Sequence, residues 1–138
     1  MSTVMTVEEM QDRLNKSPFN GFLGLKITAA DPEKQEIAMT MDLRPEFERI
    51  PGSGQFHGGV ISAVIDAVGQ YVVMMMLGKP LSTINFRTDY LRPATNTKLH
   101  VVGRVWRIGR SICVTDVEVT DDGGKTIAIG RANYATPS

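Results

Sequence analysis

The chain has 138 residues, enough for one domain with a sizeable core and too few for two. Fifteen Lys plus Arg balance 15 Asp plus Glu, so there is no net charge and no basic block of the kind a dedicated nucleic-acid binder carries. With 42% hydrophobic and 22% charged residues the composition is that of an ordinary globular protein, and it excludes little among small-molecule ligands.

Met1 to Lys16 carries Glu8, Glu9 and Asp12 and has no long apolar core, so it does not read as a signal peptide. Val7 to Lys16 is expected to form a short amphipathic helix, with Val7, Met10 and Leu14 on one side, Thr6 as cap, and an end before Ser17-Pro18. Two alternating runs follow. Leu23, Leu25 and Ile27 share a face of a first strand, and Ile37, Met39, Met41 and Leu43 a face of a second, with Asp31 to Lys34 as the hairpin turn. Arg44 to Phe56 reads as an irregular loop.

His57 to Leu77 is then a helix, apolar around nearly its whole circumference and closed by Gly78-Lys79-Pro80. Its apolar length would suit a membrane, but an aspartate near mid-span costs ~2.5–3.5 kcal/mol, so Asp66 and Gln70 favour a core helix over a membrane segment. The rest is strand. Leu81 to Leu91 sets Ile84 and Phe86 on one face, and Leu99 to Trp106 leads to a turn at Arg107 to Arg110. Ile112 to Thr120 changes parity after Val114, which predicts a bulge near Thr115 or Asp116. Asp121 to Gly124 turns into a last strand, Thr126 to Tyr134. The order predicts an α+β domain over residues 1–138, an antiparallel sheet wrapped around a long central helix. The single cysteine, Cys113, sits in an apolar strand and reads as core; without a possible intrachain disulfide, a reducing, cytoplasmic setting is expected.

Three features gather on the long helix. It opens with His57-Gly58-Gly59, and the free N–H groups and positive dipole end of a first turn suit a developing negative charge; glycines there also permit close approach of a ligand, or simply of the sheet. Ser62, Asp66 and Gln70 recur every four residues as one polar stripe, with Gly69 beside it as room for a ligand. A carboxylate buried there is costly unless paired or functional, and both a catalytic and a structural Asp66 satisfy that condition. Ser82 to Ala94 sets Ile84 and Phe86 against Thr83, Asn85, Arg87 and Asp89, the last two on a solvated face. Arg107 and Arg110 flank a glycine turn, where they either pair with phosphates or stand in water. His57 and His100 lie on different elements with no cysteine nearby, so no metal site is expected.

His57-Gly58-Gly59, Asp66 nine residues after the histidine, and Asp89-Tyr90-Leu91-Arg92-Pro93-Ala94 together resemble the phenylacetate-pathway (PaaI-type) branch of hot-dog-fold acyl-CoA thioesterases, over about Phe22 to Tyr134. The resemblance implies a hot-dog fold that forms a dimer or a dimer of dimers with sites shared between subunits, and no cofactor beyond the CoA of the substrate. It implies Gly58 as N–H donor to the thioester oxygen and Asp66 as nucleophile or general base, with His57 orienting the loop or assisting. Gly59, Thr83 and Gln70 would line the substrate; in the phosphate-pairing reading of Arg107 and Arg110, the phosphates are those of CoA. Where many members carry Asn or Gln six residues before the histidine, this chain has Pro51, so Gln55 or Ser53 is expected to substitute. The implied function is hydrolysis of an acyl- or aryl-acyl-CoA. The alternative is an acyl-CoA-binding protein without turnover.

Overall fold

The Thr6 hydroxyl accepts the Glu9 N–H and the Glu9 carboxylate accepts the Thr6 N–H, a reciprocal cap that starts α1 (Val7–Lys16) as expected. In the computed structural model, which describes residues 3–138, Met10 and Leu14 are the side chains α1 buries. Met1 and Ser2, the first residues of the expected domain, lie outside the described residues.

A second helix was not foreseen. Pro18 opens α2 (Pro18–Leu23), and Gly24 closes it with φ of 73°, a left-handed conformation that suits glycine. Leu23 therefore belongs to a helix and not to a strand. Leu23, Leu25 and Ile27 are all buried, so a helix end followed by a strand start imitated an alternating run. The hairpin is β1 (Lys26–Asp31) and β2 (Glu36–Met41), with Ile37, Met39 and Met41 facing the core and Leu43 beyond the strand. The loop after it contains one short 3₁₀ turn, Pro45–Phe47, which buries Phe47.

The long helix α3 (Gly58–Leu77) is capped by His57 and ends at Gly78, whose φ of 72° lets its N–H bond the Met74 carbonyl. It is apolar and long enough to cross a membrane, yet most of that stretch is buried against the chain's own sheet. That sheet has six antiparallel strands in the order β1-β2-β4-β5-β6-β3, with β3 (Ser82–Tyr90), β4 (Leu99–Ile108), β5 (Ile112–Thr120) and β6 (Thr126–Ala135). α3 packs on its inner face, which is the hot-dog arrangement.

Helix and sheet approach closely because glycines stand at the contact. A Cβ on Gly69 would lie 2.7 Å from both Thr115 Oγ1 and Tyr134 Oη, and one on Gly130 would lie 2.7 Å from Ile65 Cγ2. Gly69 thus makes room for the sheet, not for a ligand.

Three strand readings are corrected. β5 keeps one parity throughout, with Cys113, Thr115, Val117 and Val119 inward; Ile112 is apolar but exposed, and counting it as core produced the false break. The irregularity is on β4, between Val105 and Arg107 opposite Thr115 and Val114. That strand runs on to Ile108, so the turn is shorter than the expected Arg107 to Arg110. On β3 the register against β6 shifts between Thr83 and Asn85. The shift breaks the assumed pairing of Ile84 with Phe86 and brings Thr83 to the α3 side with Thr88 and Tyr90, all three bonded to groups of that helix.

Candidate active site

At the start of α3 the His57 ring is occupied as a cap. Its Nδ1 accepts the Gly59 N–H at 2.8 Å, and the backbone N–H of the same residue donates to the Phe47 carbonyl at 2.8 Å. This supports the orienting role over a reacting one. Among the described residues no acceptor meets the Gly58 N–H, one of the donors a helix start leaves unpaired. Tyr90 lies over the same turn. Its hydroxyl donates to the Gly58 carbonyl at 2.5 Å, and the Ser62 hydroxyl oxygen is 2.6 Å from Tyr90 Oη and 2.9 Å from Thr88 Oγ1. A Cβ on Gly58 would lie 3.3 Å from Tyr90 Oη, so the missing side chain accommodates the tyrosine first.

Gly58 and Gly59 line a cleft of about 470 Å³ together with Gln55, Phe56, Tyr90 and two arginines, Arg49 and Arg92. Gln55, one of the two residues expected to substitute for the absent Asn or Gln, lines that cleft. Pro51 is exposed and outside the cleft wall, and Ser53 Oγ accepts the Gln55 N–H. Arg49, Arg92 and Tyr90 were missed as site residues. Tyr90 and Arg92 stand within the Asp89 to Ala94 motif and were available from it; Arg49 carried no signal beyond its place in a loop. Neither guanidinium has an acceptor among the described residues.

Asp66 is half-buried in this chain, not enclosed as a buried helix had suggested. Its Oδ1 accepts from Thr83 Oγ1 at 2.9 Å, which joins two of the expected site residues. Its backbone carbonyl accepts the Tyr134 hydroxyl at 2.6 Å. Burial, then the neighbouring Asp66 charge, pushes the Tyr134 phenol well above its ordinary range and holds it protonated as a donor. Gln70, also half-buried, follows one turn on. Ser62, Asp66 and Gln70 therefore form the expected stripe, and its first two members bond to β3.

The chain does not bring all the expected residues together. Gly58 and Asp66 are eight residues apart on one intact helix, which at 1.5 Å per residue is ~12 Å. Arg107 and Arg110 flank the β4–β5 turn, and the register puts that turn with Ile112, Ala135 and Ser82 at one end of the sheet. The Gly58 cleft is at the other end, where Tyr90 pairs with Ala128. Those arginines do not enter their own chain's cleft. Met74 and Met75 are buried in the core toward the far end of α3, and the cleft wall contains no methionine.

Residues 53–128 match the family model of the thioesterase superfamily. A solved structure of a protein from that superfamily is 32% identical with a TM-score of 0.88, over 95% of this chain and 98% of its own. A phenylacetic acid degradation-related protein of Ralstonia eutropha is 29% identical with a TM-score of 0.79, over 91% of this chain and 98% of its own. The medium/long-chain acyl-CoA thioesterase YigI of Salmonella typhimurium is 27% identical, over 97% of this chain and 98% of the relative.

Proposed function

We propose that this chain, which belongs to the thioesterase superfamily, hydrolyses acyl-CoA thioesters at a site shared between two copies of itself. Family membership makes it a thioester hydrolase; the CoA substrate, the reacting residues and the assembly are our reading. The observation that carries it is the pairing of two clusters along one strand. Tyr90, at the end of β3, is bonded to Gly58, and Thr83, near its start, is bonded to Asp66.

β3 is an edge strand, largely exposed, with β6 as its one strand neighbour among the described residues. Such edges are natural sites for strand addition. An antiparallel pairing with a second copy, centred on Phe86, sets Ser82 opposite the partner's Tyr90. The Thr83–Asp66 pair of one chain then meets the Gly58 turn of the other, and the repeated contact gives two equivalent sites. This resolves the ~12 Å separation on the helix, since reacting atoms must come within about 3–3.5 Å.

In such a site the thioester oxygen accepts the Gly58 N–H, and the dipole of α3 favours the charge that develops on it. Asp66, oriented by Thr83, either takes a proton from the water that attacks the carbonyl carbon as the CoA thiolate leaves, or attacks that carbon itself, expelling the thiolate to form a mixed anhydride that water then hydrolyses to the free acid. Gln55 lines the same cleft as Gly58, and in this reading it orients that water. Sequence relatives that are acyl-CoA thioesterases support the choice of CoA as the thiol.

The test is released thiol from a panel of short, medium, long and aromatic acyl-CoAs, with wild type and Asp66→Asn side by side. Turnover by wild type and its loss in the variant is expected. Binding of acyl-CoA without turnover by wild type would replace this reading with that of a binding protein.

A further inference from the structure

The first turn of α3 separates two cavities, and Gly59 lines both. One is the cleft of about 470 Å³ that Gly58 shares with Arg49 and Arg92. The other, about 330 Å³, is walled by Phe19 and Phe22 of α2, Phe47 of the 3₁₀ turn and Val60 of α3, with Glu46 and Glu48 on its border.

The second cavity has fixed walls. The Phe22 and Phe47 rings meet edge to face at 5.4 Å. The Arg44 guanidinium lies over both, 4.9 Å and 4.4 Å from their centroids, and Arg44 Nη2 also donates to the Phe22 carbonyl. Phe47 is tied to the start of α3 by the His57 N–H. Against this frame Phe19 and Phe22 remain 56% and 47% exposed, an apolar surface next to the helix start that no other side chain covers among the described residues.

The two cavities also differ in charge. The Gly58 cleft has two arginines and no acidic residue in its wall, whereas the phenylalanine cavity has two glutamates and neither lysine nor arginine. Glu48 is held in place by the Gly54 N–H at 2.5 Å. An acyl-CoA has the same asymmetry: several phosphate charges at one end of the thioester, and an uncharged chain at the other.

We propose that the substrate crosses the start of α3 with a fixed polarity. Its CoA portion extends toward Arg49 and Arg92, and an uncharged, apolar acyl or aryl-acyl group enters the cavity of Phe19, Phe22 and Phe47. Phe19 and Phe22 set the acyl specificity, and Glu46 and Glu48 repel acyl groups that end in a carboxylate. The proposal rests on the reading that the Gly58 N–H holds the thioester oxygen, because Gly58 and Gly59 are what the two cavities adjoin.

The experiment measures affinity calorimetrically for three non-hydrolysable probes: CoA itself, S-octyl-CoA and S-(4-carboxybutyl)-CoA. Wild type should bind S-octyl-CoA at least about tenfold more tightly than the carboxybutyl probe, a usual discrimination for a buried apolar contact. Phe19→Ala should weaken S-octyl-CoA about fivefold or more and leave CoA unchanged, and Glu46→Lys should narrow the gap between the two alkyl probes. Phe22→Leu, which keeps an apolar side chain beside Arg44, repeats the test if Phe19→Ala does not fold. Equal binding of the two alkyl probes, or equal weakening of S-octyl-CoA and CoA, overturns the proposal. Octanoyl-CoA turnover is measured separately. Its absence with the binding preference intact removes the catalytic reading alone, and turnover without that preference removes the acyl cavity alone.

Discussion

Thr83 Oγ1 donates to Asp66 Oδ1 across 2.9 Å, linking the start of the edge strand β3 to the middle of α3. In the proposed site the hydroxyl keeps the carboxylate in one rotamer through that hydrogen bond. Asp66→Asn is expected to lower kcat at least about a hundredfold, the scale of a lost acid–base or nucleophilic group. Thr83→Ala should lower kcat less, about tenfold, with KM nearly unchanged, and Thr83→Ser should restore most of it. Steady-state kinetics on one acyl-CoA decide. A Thr83→Ala enzyme altered only in KM would assign Thr83 to binding instead.

Tyr90 and Gly58 should prove energetically coupled. Tyr90→Phe removes the hydroxyl that donates to the Gly58 carbonyl and is expected to cost about 0.5–1.5 kcal/mol of stability. Gly58→Ala introduces a Cβ 3.3 Å from that oxygen, so the double variant should be less destabilised than the two single losses added together. Denaturant midpoints of the four proteins complete the cycle. Strict additivity would mean that Tyr90 is not what Gly58 accommodates.

Much of this was legible from residue patterns. The Thr6 cap, the α3 boundaries at His57 and Gly78, the polar stripe and the Asp121 turn all depend on interactions between near neighbours in the chain. What escaped notice depends on distant partners. α2 is only six residues long, too short to show a period, and Ile112 is an apolar residue on an outward face. The β3 register shift that delivers Thr83 to Asp66 is set by pairing with β6, more than forty residues away. Arg49 enters the cleft through loop geometry, and strand order, which local pattern does not show, sets Arg107 and Arg110 at the Ser82 end of the sheet, away from their own chain's helix start.

Gly69 tests the close approach of α3 to the sheet. Its missing side chain admits the oxygens of Thr115 and Tyr134, so Gly69→Ala should destabilise by about 1–3 kcal/mol through overpacking. A chemical melt that shows no loss would mean that the helix moves away from the sheet at no cost.

Tyr134 should leave a signature at high pH. Its phenol is raised above the ordinary range by burial, so the folded state favours the protonated form and the stabilisation is complete below the unfolded value, about 10. It is lost progressively as pH rises beyond that value. Tyr71, also raised by burial, adds to the same decline. Tyr134→Phe should be less stable than wild type at pH 7 and lose less stability between about pH 10 and 12. Parallel stability curves for the two proteins would show that Tyr134 ionises alike in the folded and unfolded chains.

The shared site is tested most directly by complementation. Gly58→Pro removes the N–H donor at a helix position that tolerates proline, and Asp66→Ala removes the carboxylate. Each variant alone should be inactive. In a mixed dimer one site carries both lesions, while the other joins an intact Gly58 to the partner's intact Asp66. Verified mixed dimers, formed by co-refolding differently tagged chains, are predicted to recover about half of wild-type activity, one intact site of two. Verified mixed dimers as inactive as both parents would contradict the pairing of Gly58 and Asp66 across subunits.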